Sequence, residues 1–162
     1  KELVEALRNM VKSEHLPLQT LIMRGNDTKN RLRENLADVI SSLKKNTTLQ
    51  YLDITGHGMG NTGSIELGRM LTVNNSLTTI HWDENLTSYL GFWHVNHALK
   101  VNSTKRLVGY PILDVVRAMS EPNQDKIKIA SVLSNFQSPN IEVESETEAR
   151  VNPGRIRYNS HV

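Results

Sequence analysis

Three groups of residues in this 162-residue chain have types and spacings that chemistry uses. Gly58-x-Gly60-x-x-Gly63 follows the strand-like Leu49–Thr55 and precedes the helix-like Ser64–Val73, and Asp83 and Glu84 come some twenty residues later. In that context the glycines allow a tight turn, and a helix N-terminus would receive a pyrophosphate. His94-x-x-His97 sets two imidazoles on one helical face, a spacing open to a metal ion, but no His-Glu-x-x-His is present to make it a zinc hydrolase. Asp83-Glu84 pairs two carboxylates, yet adjacent strand residues point to opposite faces and cannot share a substrate.

No nucleophile and no oxyanion donors accompany these groups. The chain is therefore expected not to be an enzyme, with no catalytic residue, cofactor or metal ligand. The cysteine count of zero removes disulfides, thiolate zinc sites and a thiol nucleophile together. With 19 Lys+Arg against 17 Asp+Glu, scattered along the chain, the net charge of +2 is too small to favour nucleic acid. No apolar run reaches the roughly 20 residues of a membrane span, and the start KELVEALRNM lacks a signal peptide's apolar stretch. It also opens at Lys1, inside a helical pattern, so a longer parent protein is expected.

The elements that position these residues are set by an internal repeat. Leu18, Leu21, Met23 and Asn26 have the spacing L-x-x-L-x-L-x-x-N. It returns as Leu49, Leu52, Ile54 and His57, then as Leu77, Ile80, Trp82 and Asn85, with starts 31 and 28 residues apart. Equal offsets also match Gly63 with Gly91, Ile65 with Trp93, Leu67 with Val95 and Asn74 with Asn102. This is the pattern of a long leucine-rich repeat, each copy a short strand, a turn and an amphipathic helix. The fold expected is an α/β solenoid of the ribonuclease-inhibitor-like kind, with a parallel sheet on the concave side and helices on the convex side. His57 takes the Asn slot of its copy, and Trp82 and Trp93 fall on core positions.

A fourth copy falters where Lys105 replaces the leucine and Pro111 arrives. Two apolar periodic segments follow within 112–136, split at Glu121-Pro122, and read as capping helices. The expected organisation is repeats over 1–111, a helical capping and self-association segment over 112–137, and a polar tail over 138–162, with Ile141 and Val143 marking a docked strand. On the concave strands, Arg24, Tyr51, Asp53, His81 and Asp83 form a mixed polar patch suited to a protein partner, Tyr and Arg being common interface anchors. Val115, Val116, Ile129, Val132 and Phe136 are the candidates for self-association.

The stretch from Leu49 to Met119 resembles the last repeats of the CARMIL family, linkers of capping protein and myosin-I in the actin cytoskeleton. YLDITGHGMGNTG, SLTTIHWDEN with its Trp82-Asp83, and the exit GYPILDVVRAM with Pro111 and Asp114 carry the resemblance. It implies a non-catalytic scaffold that regulates actin capping and filament assembly and dimerises through its end helices. The partners implied are actin-regulatory proteins and a second copy, with no nucleic acid and no direct membrane insertion. The location implied is cytoplasmic and cytoskeletal, with any plasma-membrane attachment supplied by other parts of the parent protein. The alternative is a repeat regulator with another client, such as a tropomodulin-like actin cap or a GTPase-activating repeat protein.

Overall fold

Each helix of the repeat gives way to a strand at an asparagine. In a computed structural model that describes residues 2–13, 16–25, 28–134, 136, 141–143 and 155–158, the chain becomes extended at Asn46, Asn74 and Asn102. The elements run α1 (Glu2–Lys12), β1 (Thr20–Ile22), α2 (Leu36–Ser42), β2 (Tyr51–Asp53), α3 (Gly60–Val73), β3 (Thr79–His81) and α4 (Tyr89–Val101), then β4 (Leu107–Gly109), α5 (Ile112–Ser120), α6 (Lys126–Ser134), β5 (Ile141–Val143) and β6 (Arg155–Tyr158). The fold is α/β. Strands β1 to β4 form an open parallel sheet in chain order.

The register follows the repeat. Leu21, Leu52 and Ile80 stand side by side, and Val108 continues the row, all four buried. Burying such a side chain stabilises the fold by roughly 1.5–3 kcal/mol, so one position repeated in four strands holds the sheet to the helices. Ile54 and Trp82 extend a second buried row, with the Trp82 ring edge-on to Phe92 at 6.2 Å and its indole N–H donating to the Gly109 carbonyl at 2.8 Å. The faltering fourth copy thus still supplies a strand. Lys105 is exposed where Leu77 is buried, and neighbouring Arg106 folds inward to donate to the carbonyls of Leu77 and Asn74. Burial pulls its guanidinium down to about 10.

Two helices, α5 and α6, form within the 112–136 stretch. Helix α5 stops at Glu121, which is extended because Pro122 follows it. Helix α6 folds back against α4, bringing Ile129, Val132, Leu133 and Phe136 into the core.

Two expectations need correction. Trp93 is 42% exposed, not core: its counterpart Ile65 is itself only half-buried, so the shared slot lies at the helix flank. The stretch after Ser138 is not wholly tail. Strand β6 pairs antiparallel with β4, and β5 pairs with β6, so the strand expected at Ile141 and Val143 exists but reaches the sheet through β6. The rest of the expected tail lies outside the described residues.

Candidate functional site

Of the five residues expected to form a patch, Tyr51 and Asp53 lie on β2 and His81 on β3, while Arg24 and Asp83 follow β1 and β3, and the structure divides them by what each is bound to. Tyr51 on β2 and His81 on β3 are half-buried, with ring centroids 5.5 Å apart and planes tilted by 41°. Asp53, beside His81 in the sheet register, is fully buried. Its Oδ2 accepts from Arg24 Nε at 2.6 Å and its Oδ1 from the Thr55 amide at 3.1 Å. This hydrogen bond and the charge of Asp53 raise the Arg24 pKa, while about half of the Arg24 side chain remains in solvent. Asp83 is occupied elsewhere, accepting from the amides of Glu84, Leu113 and Asp114. The solvent-facing half of Arg24 and the half-buried rings of Tyr51 and His81 are thus the parts of these five residues that Asp53 and the α5 amides leave in contact with solvent.

The glycine turn is consumed by stacking. The amides of His57 and Met59 donate to Asn85 Oδ1 at 3.1 and 3.4 Å, that of Gly60 to the Asn85 carbonyl at 2.8 Å, and that of Gly56 to the Asp83 carbonyl at 3.0 Å. These are donors a pyrophosphate would need, and the next turn already holds them. Gly56 and Gly58 have φ of 84° and 62°, and their counterparts one repeat on, Glu84 and Leu86, hold the same left-handed conformation at 58° and 59°. The turn shape thus belongs to the repeat, whether or not the residue is glycine.

His57 does serve in place of Asn. Its Nε2 donates to the Met23 carbonyl at 2.9 Å and its Nδ1 accepts from the Leu32 amide at 3.2 Å, which fixes a neutral ring with the proton on Nε2. Burial is the chief cause of its lowered pKa, with Arg31 adding to it and the bond to Met23 opposing. Asn85 does the same work one repeat later, donating to the Ile54 carbonyl at 2.9 Å. Asp114 completes the column by accepting from the Asn85 and Leu86 amides at 2.9 and 2.8 Å.

His94 and His97 flank Trp93 on α4: His97 stacks on the indole at 5.2 Å with parallel planes, and His94 meets it edge-on at 4.9 Å. The described residues hold no group of three or more metal-ligating side chains. Among the self-association candidates, Ile129, Val132 and Phe136 are buried within the chain, and Val115 is half-buried. Val116 is exposed on α5 together with Ile112 and Leu113.

A second column was legible only as a spacing. Asn46, Asn74 and Asn102, each 28 residues apart, close the other end of the strands. Asn74 donates to the carbonyls of Leu43 and Asn46, and Asn102 to those of Leu71 and Asn74. The signal was their exact recurrence before each strand.

Over 138 residues, 84% of this chain and 13% of the relative, it is 36% identical to Protein CARMIL of Dictyostelium discoideum. Over 118 residues, 73% of this chain and 8% of the relative, it is 36% identical to the human Capping protein, Arp2/3 and myosin-I linker protein 3. A more distant relative, the Rho GTPase-activating protein gacW of Dictyostelium discoideum, is 26% identical over 113 residues, 69% of this chain and 10% of the relative. No family model matches the chain. The chain spans only about a tenth of the length of these relatives. Matched at 36% identity over 84% and 73% of its length by the first two relatives, this chain belongs to the CARMIL family.

Proposed function

We propose that the chain is a non-catalytic leucine-rich-repeat scaffold of an actin-regulating protein, presenting its strand face to actin-regulatory partners and pairing with a second copy through its end helices. The organisation proposed is a solenoid over 1–111, a helical segment over 112–137 and a terminal segment over 138–162. The observation that carries the reading is the outward Tyr51–His81 pair on a sheet otherwise locked in register, in a chain whose relatives are named for linking capping protein, Arp2/3 and myosin-I. A stacked sheet gives a rigid surface at little conformational cost, and an aromatic pair gives it an anchor. Pairing with a second copy falls to Ile112, Leu113 and Val116, because Ile129, Val132 and Phe136 are committed to the core. The location proposed is the cytoplasmic actin cytoskeleton. No helix among the described residues is long and apolar enough to cross a membrane.

Titration of the chain against capping protein, Arp2/3 complex and myosin-I tests the partner reading, and light scattering tests the pairing. One second reading has a specific support, the match to a protein named as a Rho GTPase activator. On that reading Arg24 or Asp83 reaches the GTPase. Stimulated GTP hydrolysis by a Rho-type GTPase, lost in Arg24→Ala, would favour it. Both residues are held within the chain, Arg24 by Asp53 and Asp83 by three amides, which speaks for the scaffold.

A further inference from the structure

We propose that the edge of the molecule where α1 and α2 end is a binding site for a compact polyphosphorylated ligand, either a soluble inositol polyphosphate or the same phosphates carried by a lipid headgroup. A cavity of about 650 Å³ opens there, lined among others by Lys12, Ser41, Lys44, Lys45, Thr47 and Thr48. That volume lies within the roughly 300–1,000 Å³ of small-ligand sites. Three lysines and several hydroxyls face it, and among the described residues none of its lining is acidic. A smaller hollow of about 290 Å³ shares Lys44, Lys45 and Thr47 and continues past Asn75 and Ser76. The basic surface thus runs across two junctions of the repeat.

The ordinary explanation for lysines at helix ends is that they meet the last carbonyls, where the helix dipole is negative. Here those carbonyls have other donors. Asn46 donates to the Val11 carbonyl at 2.7 Å, Asn74 to those of Leu43 and Asn46 at 2.9 and 3.0 Å, and Ser76 to that of Asn46 at 2.9 Å. Lys44 is bound to Glu66 at 2.5 Å. Lys12 and Lys45 make no ion pair among the described residues, and both are exposed. The Thr48 hydroxyl is shielded from solvent and has no hydrogen-bond partner among the described residues, although its own amide is satisfied by Asn46 Oδ1 at 3.0 Å. Two uncommitted ammonium groups lining one cavity are charged donors that a phosphate ester satisfies, with its oxygens accepting from both, and the Thr48 hydroxyl in the same lining becomes a third donor once ligand entry opens the wall that shields it.

The site is independent of the actin reading, and its test uses other probes. Inositol hexakisphosphate is titrated calorimetrically into the whole chain at 0.15 M salt. Saturable one-to-one binding is expected, weakened about tenfold by Lys12→Ala or Lys45→Ala, as the loss of one charged hydrogen bond implies. Lys100→Ala and Lys105→Ala, which remove charge outside the cavity, are expected to leave it unchanged. Thr48→Val should weaken binding about threefold without lowering the melting temperature, since the hydroxyl has no partner in the fold to lose. Vesicles of phosphatidylcholine with and without phosphatidylinositol bisphosphate identify the source. Sedimentation of the chain with the bisphosphate vesicles, competed by inositol hexakisphosphate, assigns the lipid headgroup, and binding of the soluble probe alone assigns the soluble ligand. Absence of both, or equal weakening by all four lysine variants, would overturn the proposal.

Discussion

Asp83 and Asp114 serve one another across the last turn of the sheet. The Asp83 carboxylate accepts from the amides of Leu113 and Asp114, each at 3.0 Å, where α5 begins, and the Asp114 carboxylate accepts from Asn85 and Leu86, two and three residues after Asp83. Each carboxylate thus satisfies backbone donors of the other's segment. These are the residues on which the resemblance to the CARMIL repeats turned, and the interlock explains why the strand and the exit carry it together. The first capping helix is fixed to the last full repeat by this exchange as well as by apolar contact.

Asp114 is almost wholly buried, and that burial, ahead of the repulsion from Asp83 and against its hydrogen bonds, raises its pKa. A raised carboxylate holds its proton longer in the folded state than in the unfolded one. Its contribution is full below the ordinary value of about 4 and declines as pH rises through the folded value. Asp114→Asn, which imitates Asn85 in the same column, should therefore gain on the wild type as pH rises above about 4. Asp114→Ala leaves the Asn85 and Leu86 amides unpaired and should cost about 2–4 kcal/mol at neutral pH. Urea unfolding of both variants from pH 3 to 7 reads the difference, and a parallel pH profile for Asp114→Asn and wild type would refute the assignment.

His57 predicts the opposite slope. Its folded pKa is lowered, so the unfolded state takes up the proton first, and stability is complete above the ordinary histidine value of about 6.5 and lost as pH falls through it. Protonation at Nδ1 would also break the bond from the Leu32 amide. His57→Asn keeps the donor to Met23 and carries no titrating ring. It should match wild type near pH 8 and be the more stable at pH 5. His94 titrates in the same direction, its pKa lowered by burial and by Arg69 and His97, so the comparison is read against wild type, which keeps His94.

The asparagine column at the strand starts makes a graded prediction. Asn74 is buried, donates to two carbonyls and accepts from the amides of Ser76 and Leu77, whereas Asn102 is half-buried at the next junction. Asn74→Ala should cost about 3 kcal/mol, with several buried groups left unpaired, and Asn102→Ala about 1–2 kcal/mol, where water reaches the orphaned groups. Denaturant midpoints measure both. Equal losses would mean that burial does not set the cost.

Much of this was legible in the sequence because one residue type recurs for one physical reason. The leucines at 28- and 31-residue intervals named the buried row, and His57 in an asparagine slot named its hydrogen bonds. Proline at 122 named the break between the capping helices. What remained hidden depends on contacts between segments far apart in the chain. Periodicity could not show that β6 would pair with β4, nor that α6 would draw Ile129, Val132 and Phe136 inward by packing on α4. On the candidate patch, residue type alone does not distinguish Asp53, buried under Arg24, from Asp83, turned to the amides of α5, or either from the outward ring of Tyr51.

The pairing of two copies is separable from folding by where a charge is placed. Val116→Glu sits on the exposed face of α5 and should halve the mass measured by light scattering while leaving the melting temperature within a few degrees. Ile129→Glu buries a charge beneath α4 and should unfold the end of the molecule. A wild-type mass of one chain at every concentration would contradict the pairing.

The most direct measurement for the scaffold reading is a titration of the chain against capping protein, Arp2/3 complex and myosin-I, comparing wild type with Tyr51→Ala and His81→Ala. These two rings lie outward on the strand face, whereas Arg24→Ala would strand the buried Asp53 and confound binding with stability. The expected result is saturable binding to at least one of the three, weakened tenfold or more, about 1.4 kcal/mol, by Tyr51→Ala with an unchanged melting temperature. Absence of binding to all three, or binding indifferent to both rings, would contradict it.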